Sequence, residues 1–567
     1  MRVKEFIEDN RYKIQFIIAV LAVAISFATI REGFYVDENG LLTIYKGIYQ
    51  GQRMFVDSWE SLQTGTLVVY PLLALYFGLL RPALNAVGVG YVLYMRIAYQ
   101  LIRLLLAVYL YFTLRKSSYK NGAFAASLFY YMFVVTFDNF SYKSICDMAL
   151  MLIICFVFRY HQTERPWYWI LVGLAACAAI LAYPTMIFMA LVLGILLIYA
   201  IYRYDVPKSI LLAFVVTCLA CGALTLIYLQ ATSGLGNVFS QIGNLGDQDY
   251  DASLPVRLLK MLAHYLVFAV VAYIPVVVMR LVDKKRQLEA STEHIVLTLY
   301  WLAIFAGLCL VRLSSVSISR FVYGFLILFF WFPHLMRERP SGEGTKIGYY
   351  RSAPASDKWL LWTIFILSAA AQLIWSCSTN QDISVPGHMA IFVVVADILL
   401  FAEEDNYMPA LTGIILAVDF FFMGFWVSES NGGYSDILET RYYVTEGELS
   451  GMALEPDAYW TNYHSYNLVS QYLSSGDKLL VAFGSNSTGY INSDAIQGTY
   501  TVYARTQLND KLLTFYQVNP DRQADYVIID TANAKYADFC QGATGQWILS
   551  TYTTTVAQEG SLVLLSK

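Results

Sequence analysis

Residues 35–73 read YVDENGLLTIYKGIYQGQRMFVDSWESLQTGTLVVYPLL and come shortly after the first apolar run of the chain, Ile14 to Ile30. The stretch opens on two adjacent acids, Asp37 and Glu38, about seven residues beyond that run. An apolar run of this length can form a membrane helix. The two carboxylates are therefore expected close to a bilayer surface, in the first loop of a membrane protein.

The composition of the whole chain agrees with a membrane protein. Of its 567 residues, 57% are hydrophobic and 14% are charged, whereas soluble proteins carry about 25% charged residues. Apolar runs recur near residues 14–30, 66–80, 91–113, 121–137, 144–159, 168–183, 186–202, 209–230, 261–281, 295–311, 320–337, 358–375, 388–402 and 408–427. We therefore predict an all-α polytopic membrane bundle over residues 1–430. No basic tract of the kind that binds nucleic acid is present in the sequence.

The basic residues of the predicted loops indicate the orientation of the bundle, because cytoplasmic loops are enriched in Lys and Arg. Four basic residues within positions 2–13 place the N-terminus in the cytoplasm. The later basic loops fall on the same side only if one early segment does not cross. We interpret residues 66–80, a short run that contains Pro71, as a membrane-embedded return helix. About 13 helices then cross and the C-terminal tail lies outside; if 66–80 does cross, the basic loop at 115–120 lies outside instead.

The polar tail begins beyond Glu429 and alternates helix and strand signals. KLLVAF at 478–483 and ADYVIID at 524–530 are typical of buried strands. The C-terminal TYTTTVAQEGSLVLL predicts a hairpin around Glu559-Gly560. We predict a soluble extracytoplasmic α/β domain over residues 431–567, and a first extracytoplasmic loop over residues 31–65.

The acid pair Asp37-Glu38 is the first candidate for chemistry. A carboxylate near a lipid headgroup can act as a general base or hold a metal that bridges phosphates. The alternatives are a solvated loop acid or a cap for a helix that begins near Leu41. Leu41, Ile44, Tyr45 and Ile48 share one helical face, which predicts a helix lying in the membrane interface.

The first loop resembles that of the GT-C glycosyltransferases, polytopic enzymes that use polyprenyl-phosphate-linked sugars and include the protein O-mannosyltransferases and the lipid A aminoarabinose transferases. The matching elements are Asp37-Glu38, Gly51 with Phe55-Val56-Asp57, Pro71, Phe77-Gly78, and Arg96 in the next helix. Two later segments are also similar. Residues 173–193 match a helix pair of the family, with Tyr183 in place of a frequent Lys, and Arg320-Phe321-Val322-Tyr323 matches a helix entry without its Pro.

The resemblance implies roles for several of these residues. Asp37 would be the base that deprotonates the acceptor hydroxyl, Glu38 would orient Asp37 or the acceptor, and Asp57 is a weaker candidate. The leaving phosphate needs cationic or hydrogen-bonding partners. The candidates for that role are Arg320, Arg96, Arg312, Lys143 and Tyr323.

No metal site is predicted, because the six histidines lack metal-ligand spacing. No cofactor is assigned, and a divalent metal held by carboxylates stays open.

The resemblance implies an enzyme of the plasma membrane. It would move a sugar, with inversion, from a polyprenyl phosphate to a glycan, lipid or protein acceptor of the cell envelope. Two other functions stay open from the sequence: a transporter or flippase of lipid-linked glycans, and a noncatalytic envelope assembly protein. A transporter predicts matching inverted halves, which the layout of the apolar runs does not show.

Overall fold

The computed structural model describes residues 9–117, 120, 122–132, 137–245, 253–286, 299–300, 303–304, 307, 355–381, 383, 426–428, 434–436, 440–482, 488–503 and 510–567. Four of the predicted apolar runs lie wholly or largely outside these residues, namely 295–311, 320–337, 388–402 and 408–427. The predicted domain boundary at 430/431 lies outside them too, and it stays a prediction.

The described helices of the membrane part are α1 Arg11–Ala28, α2 Val36–Tyr49, α3 Thr66–Leu75, α4 Arg81–Ala86, α5 Tyr91–Arg115, α6 Ala123–Met132, α7 Tyr142–Thr163, α8 Tyr168–Ala182, α9 Ile187–Tyr204, α10 Lys208–Thr232, α11 Leu235–Gln241, α12 Leu254–Arg286 and α13 Ala355–Thr379. A 3-10 turn at Gln63–Gly65 precedes α3, and a π turn at Tyr76–Leu80 joins it to α4. Within the described ranges, eight helical stretches are long and apolar enough to span a membrane. The prediction of a helical membrane bundle is confirmed, whereas the count of about 13 crossings stays a prediction.

The C-terminal part contains helices α14 Pro456–Tyr472, α15 Thr488–Asn492, α16 Asp510–Val518, α17 Tyr536–Gln541 and α18 Ala543–Thr551. Its strands are β3 Tyr442–Tyr443, β4 Ala453–Leu454, β5 Lys478–Val481, β6 Ile496–Gln497, β7 Tyr526–Asp530, β8 Thr554–Glu559 and β9 Leu562–Ser566, and a separate pair consists of β1 Trp426–Ser428 and β2 Tyr434–Asp436. Five of these strands form one sheet in the order β6-β5-β7-β9-β8, with β5 parallel to β6 and β7 and the last three strands antiparallel. The predicted strands and the C-terminal hairpin are all present, so the C-terminal part is α/β.

One side chain of the first loop completes the core of this sheet. Trp59 is buried in the same hydrophobic cluster as Leu480, Val527 and Phe515. Its ring meets that of Phe515 edge to face, 5.1 Å between centroids. Because a buried tryptophan contributes a large apolar area, the first loop and the C-terminal part share one core.

Contacts between helices show which helix ends lie on the same side of the bundle. Near the start of α5, the Arg96 guanidinium donates to the backbone oxygens of Ile30 and Glu32, just beyond the end of α1. At the far end of α5, Arg115 lies over the ring of Tyr12, which stands at the start of α1. Helices α1 and α5 are therefore antiparallel, and the chain between them starts and ends on one side.

The helical stretch 63–86 lies between those two points and has both of its ends on that side. Just before its start, the Trp59 amide donates to the Tyr500 oxygen, and near its end Arg81 pairs with Glu448 at 2.6 Å. Both partners belong to the C-terminal part. These contacts support the return-helix interpretation of 66–80, although the stretch of 24 residues is long enough to span by length alone.

Helix α2 does not lie on the surface as the sequence predicted. The predicted interfacial face is buried, but so is the opposite face, since every residue from Glu38 to Ile48 is buried. The physical reason is that the bundle covers one side of α2 and the C-terminal part covers the other. Exposed apolar surface lies instead on the helical stretch 63–86, where Leu79 is 69% exposed.

Candidate functional site

The acid pair stands in the first turn of α2, which begins at Val36 and not near Leu41 as one alternative required. Tyr35 precedes the helix in an extended conformation, and its oxygen accepts the amide of Asn39 at 3.0 Å. Carboxylates at a helix N-terminus interact favourably with the helix dipole. The helix dipole therefore stabilises both carboxylates in the first turn of α2, a few residues beyond the end of α1.

Glu38 is fully buried and forms an ion pair with Arg96. Its Oε1 accepts Arg96 Nε at 2.8 Å and Asn139 Nδ2 at 2.7 Å, and its Oε2 accepts Arg96 Nη2 at 2.6 Å. Arg96 also donates to the oxygens of Ile30, Glu32 and Gly33 at 2.9–3.0 Å. A guanidinium has five N–H donors, and this arrangement uses all of them.

The phosphate-binding role predicted for Arg96 is not tested by this geometry and stays a prediction. In this conformation its donors hold Glu38 and the backbone just beyond the end of α1. Asp138 lies in the same buried region. Burial raises the pKa of Asp138 and outweighs the opposing charges of Arg103 and Arg96. Glu38 is the carboxylate in direct contact with Arg96, at 2.6 Å between Oε2 and Nη2.

Asp37, unlike Glu38, is only partly buried. The nearby cation is Lys143, which opens α7 and is 8% exposed. Asp37 and Asp147 are the carboxylates that act electrostatically on the Lys143 ammonium. A partly accessible carboxylate within electrostatic range of a buried ammonium can accept a proton while the cation binds an anion. The structure thus brings together two of the residues that the sequence singled out.

Aromatic side chains surround the Lys143 ammonium. It lies 5.5 Å from the ring centroid of Tyr142 and 5.4 Å from that of Trp375. Tyr142 in turn packs against Tyr183, whose hydroxyl bonds to Ser378. Sequence reasoning missed Tyr142, Trp375 and Ser378. Tyr142 could have been found from the sequence, because it is adjacent to Lys143. Trp375 and Ser378 could not, because they lie on α13, which only the fold brings close to Lys143.

Asp57 lies away from this group and is fully buried between two arginines. Its carboxylate accepts from the Arg53 amide at 2.7 Å, from Arg53 Nε at 2.9 Å, and from Arg522. These contacts join the first loop to the C-terminal part. The geometry favours a structural role for Asp57, and its predicted role at the site stays untested.

The three other predicted phosphate ligands, Arg312, Arg320 and Tyr323, lie outside the described residues. Over the ranges that the structure covers, no group of three or more His, Cys, Asp or Glu side chains is placed to hold a metal ion.

Residues 87–228 match the family model described as dolichyl-phosphate-mannose-protein mannosyltransferase. This segment contains Arg96 and Lys143 but not the acid pair. No curated protein matches the chain. The solved structures similar to this chain include ArnT from Cupriavidus metallidurans in the apo state, at 11% identity with 97% of each chain covered and a TM-score of 0.44. The same protein bound to undecaprenyl phosphate gives 11% identity, 98% coverage of each chain and a TM-score of 0.41.

A further similar structure is the oligosaccharyltransferase AglB from Archaeoglobus fulgidus, in complex with an inhibitory peptide and a dolichol-phosphate. It is 11% identical, with 96% of this chain and 73% of that chain covered and a TM-score of 0.39. The family match over residues 87–228 confirms the resemblance of this chain to the GT-C superfamily, to which the protein mannosyltransferases belong.

Proposed function

We propose that this protein is a membrane glycosyltransferase that moves a sugar from a polyprenyl-phosphate donor to an acceptor of the cell envelope. The observation that carries the proposal is that a partly accessible carboxylate, Asp37, lies within electrostatic range of a buried lysine, Lys143, at one end of a helical bundle. The match of residues 87–228 to a lipid-phosphate-dependent mannosyltransferase family supports the same reaction class.

In the proposed reaction, Asp37 accepts the proton of an acceptor hydroxyl while the hydroxyl oxygen attacks the anomeric carbon of the donor sugar. The bond between that carbon and the lipid phosphate breaks, and the phosphate leaves with the electron pair. Attack from the face opposite the leaving group inverts the anomeric centre. A general base of this kind contributes about 10²–10⁴-fold to the rate.

Lys143 is the described cation best placed for the phosphate. Charge develops on the phosphate oxygens as the bond breaks, and a preorganised cation in a site that excludes water stabilises it. Arg312, Arg320 and Tyr323 remain proposed additional ligands. Glu38 and Arg96 act as positioning residues in this scheme, because their ion pair holds the first turn of α2.

The site is proposed to lie on the outer face of the plasma membrane, with the N-terminus in the cytoplasm. Basic residues concentrate on the side where α1 begins, as expected for the cytoplasmic side. The C-terminal ends of α5 and α7 lie on the same side of the bundle, because Gln162 Nε2 in α7 donates to the Thr113 oxygen in α5 at 2.9 Å. The acid pair lies at the opposite end of α1.

The test uses the full-length protein in proteoliposomes with a panel of radiolabelled polyprenyl-phosphate sugars and an envelope extract as acceptor. The wild-type protein is expected to transfer label, and Asp37→Ala and Asp37→Asn are expected to abolish transfer without loss of folded protein. Full transfer by either variant would overturn the role of Asp37. Movement of intact donor across the membrane without bond cleavage would point to a transporter instead.

Lys143→Met provides a second test of the same site. Removing the ammonium is expected to weaken binding of unmodified polyprenyl phosphate about tenfold or more, as for the loss of one charge-assisted contact. Fluorescence titration of the purified protein measures this affinity. Lys535→Met, at an exposed lysine of the C-terminal part, is the control and is expected to leave the affinity unchanged.

A further inference from the structure

We infer that the C-terminal part of the chain orients Asp37 by holding helix α2, and that Lys46 is the positioning residue of this contact. The inference rests on the proposed function, because Asp37 is the group that is positioned. Helix α2 is in contact with the C-terminal part along most of its length, and three separate contacts support the inference.

The first contact is made by the glycine face of α2. Gly40, Thr43 and Gly47 are spaced three and four residues apart, so they share one face of the helix. A Cβ added at Gly40 would overlap the ring of Tyr503 and lie 2.8 Å from its hydroxyl. All three of its nearest atoms belong to that one side chain. The absence of a side chain at Gly40 therefore lets Tyr503 pack directly on the helix, three residues from Asp37.

The second contact involves Gln497, at the end of β6. Its Nε2 donates to the backbone oxygen of Thr43 at 3.0 Å, and a Cβ added at Gly47 would lie 2.8 Å from the same nitrogen. A backbone oxygen inside a helix normally accepts only the helical amide. This additional hydrogen bond ties the middle of α2 to the edge of the sheet.

The third contact is the buried ammonium of Lys46, whose side chain is 2% exposed. It donates to the backbone oxygens of Ile491 and Ser493 at 2.8 and 2.9 Å. It also pairs with Asp494 at 3.2 Å and lies 3.9 Å from Glu448. A buried ammonium is stable only when it is paired and hydrogen-bonded, and every one of these oxygens comes from the C-terminal part.

The Lys46 site extends to the helical stretch 63–86 of the membrane part. Arg81 pairs with Glu448 at 2.6 Å and with Asp494 at 3.4 Å, and the Tyr76 hydroxyl donates to Glu448 at 3.0 Å. Two cations thus face two carboxylates, which balances the charge of the cluster. Helix α2, the stretch 63–86 and the C-terminal part all meet there. A change at Lys46 is therefore expected to shift the position of α2 and not only the Lys46 side chain.

Lys46 acts on Asp37 through the helix and not by contact. The two residues are nine positions apart, which corresponds to about 13 Å along a helix axis. Near its N-terminus α2 is held by the ion pair of Glu38 with Arg96, and near its C-terminus it is held by Lys46. These two contacts fix the orientation of α2, and that orientation determines where the Asp37 carboxylate lies relative to Lys143.

The experiment compares Lys46→Met with Lys46→Arg and with the control Lys535→Met, all in the full-length protein. Hydrogen exchange detected by mass spectrometry follows the amides of residues 36–49. Lys46→Met is expected to speed their exchange about tenfold, because a lost anchor lowers the cost of local opening. Lys46→Arg is expected to restore part of the protection, and the control is expected to exchange like the wild type. Unchanged exchange in Lys46→Met would overturn the inference whether or not transfer is observed.

Turnover provides the second readout. With a donor that the wild type uses, kcat of Lys46→Met is expected to fall about 10- to 100-fold, as for a displaced catalytic group. The affinity and stoichiometry for polyprenyl phosphate are expected to stay unchanged, which excludes a loss of folded protein. If Asp37→Asn is inactive while Lys46→Met keeps the wild-type kcat, the positioning role is refuted and the proposed function stands.

Gly40→Ala covers the case in which Lys46→Met does not fold. The added methyl group is expected to displace Tyr503 and lower kcat. The double variant Gly40→Ala with Tyr503→Ala is expected to match Tyr503→Ala alone, because the three atoms nearest to the added methyl group all belong to the Tyr503 side chain. A further loss of kcat in the double variant would show that the contact does not act through Tyr503.

Discussion

Replacing Glu38 by Gln provides the sharpest test of how the acid pair divides its roles. The two acids are adjacent, yet Glu38 is fully buried against Arg96 whereas Asp37 is partly accessible. We expect Glu38→Gln to lower stability strongly, and Asp37→Asn to remove transfer with a smaller loss of stability, because Asp37 is partly accessible and Asp147 still faces Lys143. The two variants make the same chemical change at neighbouring positions, so each is the control for the other.

The magnitude follows from the contacts of the Glu38 carboxylate. Its two oxygens accept three hydrogen bonds, two from Arg96 and one from Asn139, at 2.6–2.8 Å. A glutamine keeps one acceptor oxygen, so its amide N–H group would face a donor of Arg96 or Asn139. The Arg96 guanidinium, 6% exposed, would also lose its counter-charge. Breaking a buried ion pair by removing one partner costs about 3–5 kcal/mol.

Thermal unfolding of the purified protein in detergent measures this cost. A destabilisation of 1 kcal/mol lowers Tm by about 2–4 °C for domains of 150–250 residues and by less for longer chains. For a chain of 567 residues the shift is a little under about 1 °C per kcal/mol, so we expect the Tm of Glu38→Gln to fall by roughly 2–4 °C. A Tm within about 1 °C of the wild type would refute the reasoning, because the buried guanidinium would then tolerate the loss of its partner.

Three further variants test the packing of the first loop and the C-terminal part. Asp57→Asn is expected to make the first loop more sensitive to limited proteolysis, because it removes the charge between two arginines; Asp521→Asn, at a carboxylate that is 66% exposed, is the control, and equal cleavage of the two would contradict this. Burial acts to raise the pKa of Asp494, but two neighbouring cations outweigh it and lower the pKa. This stabilisation is present above the unfolded-state pKa of about 3.9 and is lost as pH falls through the lower folded-state value. The Tm difference between wild type and Asp494→Asn is therefore expected at pH 7 and should vanish toward pH 3; a constant difference would argue against it. Gly90→Ala places a Cβ 2.6 Å from a backbone oxygen of the C-terminal part and is expected to cost about 1–3 kcal/mol by thermal unfolding, whereas Gly194→Ala, with nothing within 4 Å, should leave Tm unchanged or raise it.

The sequence by itself determined the class of the protein and the place of the acid pair. Long apolar runs can be recognised residue by residue, because the cost of placing a side chain in lipid depends mainly on that side chain. The strands within 478–483 and 524–530 could also be predicted from the sequence, since a continuous apolar run is typical of a strand buried on both faces. The position of Asp37 just beyond the first membrane helix followed from the same local reasoning.

Only the tertiary structure decided which partners the polar groups have. Glu38 and Arg96 are far apart in the chain, and the partners of Lys46 lie in the C-terminal part. The helix that carries Asp37 has an amphipathic sequence, which predicted a surface helix. That prediction was wrong because periodicity cannot tell whether a polar face meets water or another part of the chain. A buried charge pair depends on the meeting of two distant segments, and that meeting is a property of the folded chain and not of either segment alone.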